Sequence, residues 1–275
     1  MKPFGVLLRD AMGRYGPLCV GIDPHPQLLR AWGLSEDVEG LKRFSDACVD
    51  AFSGRVALVK PQVAFFETYG SGGMVVLEDT IGALREAGTL VLADAKRGDI
   101  GTTMAAYARA WLADGPLGSD ALTVSPYLGF GSLAPALELA AANRRGVFVL
   151  AATSNPEAAA LQRTATTDGR SIAQTMVDAA AEHNDGAEFG SVGVVVGSTL
   201  DEAPDLSRLN GPILMPGVGA QGGGPESIRA VVPAPSLRAV LPSVSRELLG
   251  QGPSVAALRT RMTQLADEFA FLQAR

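Results

Sequence analysis

Four charged side chains stand at the ends of two apolar segments, and their types suit proton transfer beside a bound anion. The segment LVLADAKRGDIGTT runs from four apolar residues into Asp94, Lys96 and Asp99, and the segment ALVKPQ carries Lys60. If both segments are strands, Asp94 and Lys96 share a face, because side chains two residues apart point the same way. Alternating charges keep the lysines protonated and the carboxylates ionised. A fixed ammonium group of this kind can deliver a proton to a reacting atom.

The same four residues also fit a purely structural network of ion pairs. Buried charges need partners, and alternating lysine and aspartate supply them. Such a network gains little stability over apolar packing, which favours the catalytic interpretation without excluding the structural one.

A glycine-rich segment late in the chain, MPGVGAQGGG, is suited to binding a phosphate. Gly217, Gly219 and Gly222 have the GxGxxG spacing of a dinucleotide site, but no acidic residue follows about 20 positions later to bind a ribose. The segment therefore predicts a loop whose backbone N–H groups bind one phosphate. Arg246, after the next apolar segment, would add a bidentate contact. A turn that needs glycine only for its backbone is the alternative.

Two single polar residues also follow apolar segments. Asp23 in GIDPHP ends the first segment, and Ser154 in ATSNPE follows the fifth. Asp23 is compatible with a ligand contact or with a cap before Pro24. Ser154 is compatible with recognition of a ring amide or with an ordinary turn, and the residues alone leave both alternatives open.

The elements that must position these residues are eight short apolar segments separated by amphipathic segments of helical length. Their hydrophobicity is mostly continuous, as in parallel strands buried on both faces. Strand–helix alternation predicts an α/β protein with a (β/α)8 TIM barrel as a single domain over residues 1–275, and a doubly wound open sheet is the alternative. The final segment, 253–275, is predicted to be the longest helix. The predicted strands are 18–23, 57–62, 89–96, 121–126, 146–153, 192–199, 211–219 and 237–244.

Composition excludes several classes of protein. The net charge of −6 argues against general binding to nucleic acid or to acidic membranes. Two cysteines and two histidines are too few for a clustered structural zinc site. The N-terminal residues lack a signal-peptide pattern, and no apolar run approaches the ~18 residues of a membrane span. We therefore expect a soluble cytoplasmic protein.

Taken together, the motifs resemble the orotidine 5′-phosphate decarboxylase family. The matching segments occur in the family's order along most of the chain, and FFETYG and VSPYLGFGSL look like its longer bacterial branch. One departure is Ser125, where an asparagine is expected before Pro126. The matching segments are GIDPH, VKPQ followed by FFE, DAKRGDIG, VSPYLG, TSNP, PGVGAQGG and SVSR.

The resemblance implies an enzyme without metal or cofactor that converts orotidine 5′-monophosphate to UMP and CO2, the last step of de novo pyrimidine synthesis. In this family pattern Lys96 would protonate C6 of the pyrimidine, and Asp94 would lie against the substrate carboxylate. Lys60 would organise this pair and contact the ribose. Asp99 would complete a charged tetrad by projecting into the partner's site of a homodimer.

The resemblance further implies six substrate contacts, each carried over by motif position. They are Asp23 and Thr103 on ribose hydroxyls, with Thr103 also given by the partner, Ser154 and Gln221 on the pyrimidine, and Gly219 and Arg246 on the phosphate.

Three other functions remain possible on the residues alone. A phosphosugar decarboxylase with a similar D-x-K pattern would require Mg²⁺. A Schiff-base aldolase would need one lysine to be neutral, which the surrounding aspartates oppose. A catalytically silent barrel that senses UMP would keep the phosphate loop but would not need both Asp94 and Lys96.

Overall fold

Eight parallel strands close into a barrel in chain order, with β1 paired to β8. The structure is a computed structural model that describes residues 2–219 and 222–273. The closed order confirms the predicted (β/α)8 barrel and excludes the open sheet. The strands are β1 (Cys19–Ile22), β2 (Leu58–Pro61), β3 (Leu90–Arg97), β4 (Ala121–Val124), β5 (Gly146–Ala152), β6 (Val192–Val196), β7 (Ile213–Met215) and β8 (Val240–Val244).

Helices surround the barrel and cover its outer face. The α-helices of the described residues are α1 (Phe4–Tyr15), α2 (Pro26–Ala31), α3 (Val38–Phe52), α4 (Val63–Glu67), α5 (Gly70–Glu86), α6 (Gly101–Leu112), α7 (Ala134–Asn143), α8 (Ala159–Gln162), α9 (Ile172–His183), α10 (Pro225–Val231), α11 (Arg246–Leu249) and α12 (Val255–Glu268). Short 3₁₀ helices are Phe130–Leu133, Pro156–Ala158, Ala234–Ala239 and Ala270–Gln273.

The expectation of a longest helix at the C-terminus is wrong. Helix α5 has 17 residues and α12 has 14. Helix α12 ends at Glu268 because the chain turns there, burying Phe269 before a 3₁₀ segment.

Helix α1 closes the amino-terminal end of the barrel. Its residues Phe4, Leu8 and Met12 are buried in one cluster with inward-facing strand residues. The ring of Phe4 contacts the ring of Phe148 on β5 edge to face, with centroids 6.2 Å apart. This packing fills the end of the barrel opposite the carboxyl ends of the strands, where barrel enzymes hold their active sites.

Among the helices described, none combines the length and apolar character that a membrane span requires.

Candidate active site

The inward-facing side chains change from apolar to polar along several strands. On four strands an apolar residue at the barrel floor is followed two positions later by a polar residue nearer the mouth, on the same face of the strand. The local pattern of the sequence thus builds a polar chamber on an apolar floor. The pairs are Leu58 and Lys60 on β2, Leu92 and Asp94 on β3, Ala121 and Thr123 on β4, and Leu241 and Ser243 on β8.

This chamber is a cavity of about 250 Å³ at the carboxyl end of the barrel. It brings together five of the predicted residues: Asp23, Lys60, Asp94, Lys96 and, at the start of α11, Arg246. The cavity therefore places three of the four predicted tetrad residues and the predicted phosphate contact Arg246 in one chamber.

Asp94 lies at the centre of the charged cluster and accepts four hydrogen bonds. Lys60 Nζ and Gln62 Nε2 donate to Oδ2 at 3.1 and 2.8 Å. Lys96 Nζ and the Thr123 hydroxyl donate to Oδ1 at 2.6 and 2.9 Å. Both carboxylate oxygens are thereby occupied by donors, and the carboxylate has a fixed orientation.

The charges of the cluster reinforce one another. Burial alone would raise the pKa of Asp94, but Lys60 and then Lys96 outweigh it and hold that pKa well below its ordinary value. Burial likewise acts to lower the pKa of Lys60, and Asp94 and then Asp23 overcome it, so the pKa of Lys60 is raised. Lys60 is 5% exposed, and its Nζ lies 3.9 Å from Asp23 Oδ1. Asp94 therefore stays ionised and Lys60 stays protonated at neutral pH.

Asp99 is not joined to this cluster within one chain. Its carboxylate accepts a hydrogen bond from the N–H of the next residue, Ile100, at 2.7 Å, and it does not line the cavity. Thr103, on the first turn of α6, is exposed and also lies outside the cavity. Within a single chain the structure assembles three of the four predicted tetrad residues, and a role for Asp99 and Thr103 in a partner's site stays a prediction.

The predicted phosphate loop is a tight turn in this structure. Gly217 lines the cavity, and Gly219 has a left-handed backbone with φ of +75° beside the Glu247 carboxylate. The N–H of Gly219 donates to Gly223 O at 2.9 Å, so it is already used within the loop. Gln221, predicted to contact the pyrimidine, lies outside the described residues.

Ser154 lies outside the charged cavity. It is exposed and lines a neighbouring cavity of about 680 Å³ between the loops that follow β5 and β6. Thr153 lines both cavities. Ser154 is thus adjacent to the charged cluster but not part of it.

Several polar residues that line the cavity were not singled out from the sequence. Gln62 and Thr123 bond Asp94 directly, and Ser245 lines the cavity. The period of two, extended beyond Lys60 to Gln62 and beyond Ala121 to Thr123, is the signal that would have found the first two.

Ser245 Oγ and Asp23 Oδ1 are buried without a hydrogen-bond partner among the described residues. Both lie beside Gly21, where an added Cβ would stand 2.8 Å from the Ser245 Cβ. Buried polar atoms are normally paired, so these two oxygens have the character of ligand contacts.

Within the described residues, no group of three or more histidine, cysteine, aspartate or glutamate side chains is arranged to hold a metal ion.

Comparison with known proteins gives consistent matches over nearly the whole chain. The model of the orotidine 5′-phosphate decarboxylase / HUMPS family matches residues 16–260. An orotidine 5′-phosphate decarboxylase of Salinispora arenicola is 58% identical over 262 residues, covering 94% of this chain and 94% of that protein.

Solved structures show the same similarity. A Streptomyces avermitilis structure with a provisional assignment as orotidine 5′-phosphate decarboxylase is 55% identical, with a TM-score of 0.96 over 100% of this chain and 97% of that one. The structure of Leishmania donovani UMP synthase is 30% identical, with a TM-score of 0.78 over 99% of this chain and 57% of that one.

Proposed function

The chain belongs to the orotidine 5′-phosphate decarboxylase / HUMPS family, and from this premise we propose how it decarboxylates orotidine 5′-monophosphate to UMP and CO2 in pyrimidine biosynthesis. The observation that carries the mechanism is the cluster of Lys60, Asp94 and Lys96 around one buried carboxylate. We also propose that residues 1–275 form one catalytic domain, since the helices of the barrel begin at Phe4 and the last 3₁₀ segment ends at Gln273.

Lys96 is the proton donor in this mechanism. The bond between C6 and the carboxylate carbon breaks, CO2 leaves, and its electron pair stays on C6. A preorganised cation lowers the activation barrier of this step, because it stabilises a negative charge that the ring carries in the transition state but not in the substrate. Lys96 then transfers a proton to C6, which yields UMP, and it regains a proton from solvent.

Asp94 and Lys60 act on the bound substrate before CO2 leaves. The ionised Asp94 lies next to the substrate carboxylate, and the repulsion between the two anions ends when CO2 departs. Lys60 is held charged by Asp94 and Asp23, keeps Asp94 in place and contacts the ribose. Asp23 and Ser245, with their unpartnered oxygens, bind ribose hydroxyls.

The remaining predicted contacts surround the ring and the phosphate. Arg246 and the Gly219 loop bind the phosphate, with the loop opening its internal hydrogen bond to Gly223 to do so. Ser154 and Gln221 bind the pyrimidine. Energy from phosphate binding, remote from C6, is available to align the ring.

We propose that the reaction uses neither metal nor cofactor. Mg²⁺ binds carboxylate oxygens, whereas both oxygens of Asp94 already accept two hydrogen bonds each from protein donors. The same charges disfavour a Schiff-base aldolase, because Lys60 is held in its protonated form.

We propose a homodimer in which Asp99 and Thr103 enter the partner's site. The loop after β4 contacts the end of β3, since the Ser125 N–H donates to Arg97 O at 2.8 Å. Ser125 makes this backbone bond whatever its side chain. Large apolar side chains are exposed on the loops after β3 and β4, which favours a protein partner. They are Ile100, Tyr127 and Leu128, 62%, 76% and 54% exposed.

A cytoplasmic location suits this metabolic role. Cys19 and Cys48 are both free and buried, as expected of a protein that works in a reducing compartment.

The decisive experiment follows the loss of orotidine 5′-monophosphate absorbance with the purified protein in EDTA, beside the Lys96→Ala variant. Conversion to UMP in EDTA, abolished in the variant, supports the reaction and the proton-donor role. Conversion that stops in EDTA and returns with Mg²⁺ favours the metal-dependent alternative. If both proteins bind UMP and neither turns over the substrate, the UMP-sensing barrel replaces the decarboxylase.

A further inference from the structure

We propose that Thr123 is a positioning residue that holds Lys96 in a left-handed backbone conformation and thereby sets the direction of its ammonium group. The inference deepens the proposed decarboxylation and rests on it. Thr123 does not itself donate a proton to the substrate. It acts through Lys96 and Asp94.

The pairing between β3 and β4 isolates Thr123 opposite the catalytic residues. Ala93 pairs with Leu122 and Arg97 pairs with Val124, with a shift of register between these pairs. Three residues of β3 (94–96) therefore lie opposite Thr123 alone. Such a bulge releases backbone groups from the strand ladder, and they need other partners.

Within this bulge Lys96 adopts an uncommon backbone conformation. Its φ is +48°, in the region that favours glycine and is sparsely used by lysine. A residue in this region persists when its surroundings fix it there. The fixing contact is the N–H of Lys96, which donates to the Thr123 hydroxyl at 3.0 Å.

The Thr123 hydroxyl makes a second hydrogen bond, which fixes its orientation. It donates its proton to Asp94 Oδ1 at 2.9 Å, the oxygen that also accepts from Lys96 Nζ at 2.6 Å. Thr123 is 1% exposed, so water does not compete for these bonds. Because threonine is branched at Cβ, its χ1 angle is restricted and the hydroxyl holds one position.

One buried hydroxyl thus ties the backbone of the proton donor to the carboxylate that orients its side chain. When Lys96 gives its proton to C6, Asp94 Oδ1 keeps the Thr123 bond and the carboxylate stays in place. Without the hydroxyl, the Lys96 N–H and one lone pair of Asp94 lose their partner, and the φ of Lys96 is free to relax away from the cavity.

The test compares Thr123→Val, which keeps the shape and removes the hydroxyl, with Thr123→Ser, which keeps the hydroxyl. We expect Thr123→Val to lower kcat roughly 100-fold, the cost of a small misplacement of a catalytic group. KM and the Kd for UMP should stay within about twofold of wild type, because ground-state contacts are retained. Thr123→Ser, which has the hydroxyl, should retain most of the wild-type kcat.

The matched control is Thr80→Val, since Thr80 is also a buried threonine and its hydroxyl donates to Val76 O at 2.7 Å within α5. It should leave kcat unchanged. If Thr123→Val does not fold, Thr123→Ala and Thr123→Ser are compared, and the same difference in kcat is expected between them. Equal kcat in the variants with and without the hydroxyl overturns the role of Thr123, as does a loss of kcat that Thr123→Ser fails to restore. An inactive wild-type enzyme instead refutes the decarboxylation itself.

Discussion

Lys96 Nζ lies 2.6 Å from Asp94 Oδ1, although the Lys96 side chain is 45% exposed and the Asp94 side chain only 9%. Lys60 bonds the other oxygen of the same carboxylate, but its side chain is 7% exposed. The two lysines therefore differ in access to solvent. Lys96 can regain a proton after each turnover, whereas Lys60 is enclosed, and this difference supports the proposal that Lys96 delivers the proton.

The enclosed pair also makes a prediction about stability. Asp94→Asn leaves the buried Lys60 without its main counter-charge, so we expect the free energy of unfolding to fall by about 3–5 kcal/mol. The control is Asp46→Asn, which breaks the exposed Lys42–Asp46 pair on α3 and should cost no more than ~0.5 kcal/mol. Urea unfolding at neutral pH measures both. Similar small losses in the two variants would show that Lys60 is not dependent on Asp94.

The depressed pKa of Asp94 predicts the direction of a pH effect on stability. A carboxyl group with a lower pKa in the folded state stabilises the fold above its ordinary pKa of about 3.9, and this contribution is lost as pH falls through the folded value. The wild-type urea midpoint should therefore fall more steeply than that of Asp94→Asn below about pH 5. Lys60, which faces Asp94 and has a raised pKa, stays charged throughout this range. If the urea midpoint of the two proteins fell in parallel with pH, the lowered pKa of Asp94 in the folded state would be contradicted.

A shared active site predicts that two inactive variants complement each other. In a heterodimer of Lys96→Ala with Asp99→Ala, one site has Lys96 from one subunit and Asp99 from the other, and the second site lacks both. Heterodimers purified with two different tags should therefore show about half of the wild-type activity per dimer.

Each homodimeric variant is the control and should be nearly inactive. A heterodimer no more active than the two homodimers would place Asp99 in its own subunit's chemistry or outside the reaction.

The barrel was predictable because its strands are buried on both faces and are therefore continuously apolar. The period of two also placed Asp94 and Lys96 on one face of their strand. Lys60 was placed near them because it stands at the matching position near the end of the preceding strand. Helix α1 was not predicted, because its role depends on contacts such as Phe4 with Phe148 that join distant parts of the chain.

The bulge at Lys96 was hidden for a related reason. A regular strand already puts Asp94 and Lys96 on one face, so nothing in DAKRGD requires a shift of register or a positive φ. Thr123 in ALTV has the composition of an ordinary strand residue, and its hydroxyl becomes informative only when β4 lies beside β3. Gln62 could have been placed near the site by extending the period of two beyond Lys60, but its bond to Asp94, 32 positions away, becomes visible only in the fold.

A substitution of Arg246 can separate phosphate binding from chemistry at the pyrimidine ring. It lines the cavity at the start of α11, and a charge-assisted bond to phosphate is worth about 1.5–3 kcal/mol. Arg246→Ala should therefore lower kcat/KM for orotidine 5′-monophosphate about 10- to 100-fold. With orotidine, which has no phosphate, the variant and the wild type should react equally. The control is Arg163→Ala, an exposed arginine on the neighbouring cavity, which should change neither substrate's rate. Equal losses for both substrates would mean that Arg246 acts on the ring or on the fold, and the phosphate site would then have to be sought elsewhere at the barrel mouth.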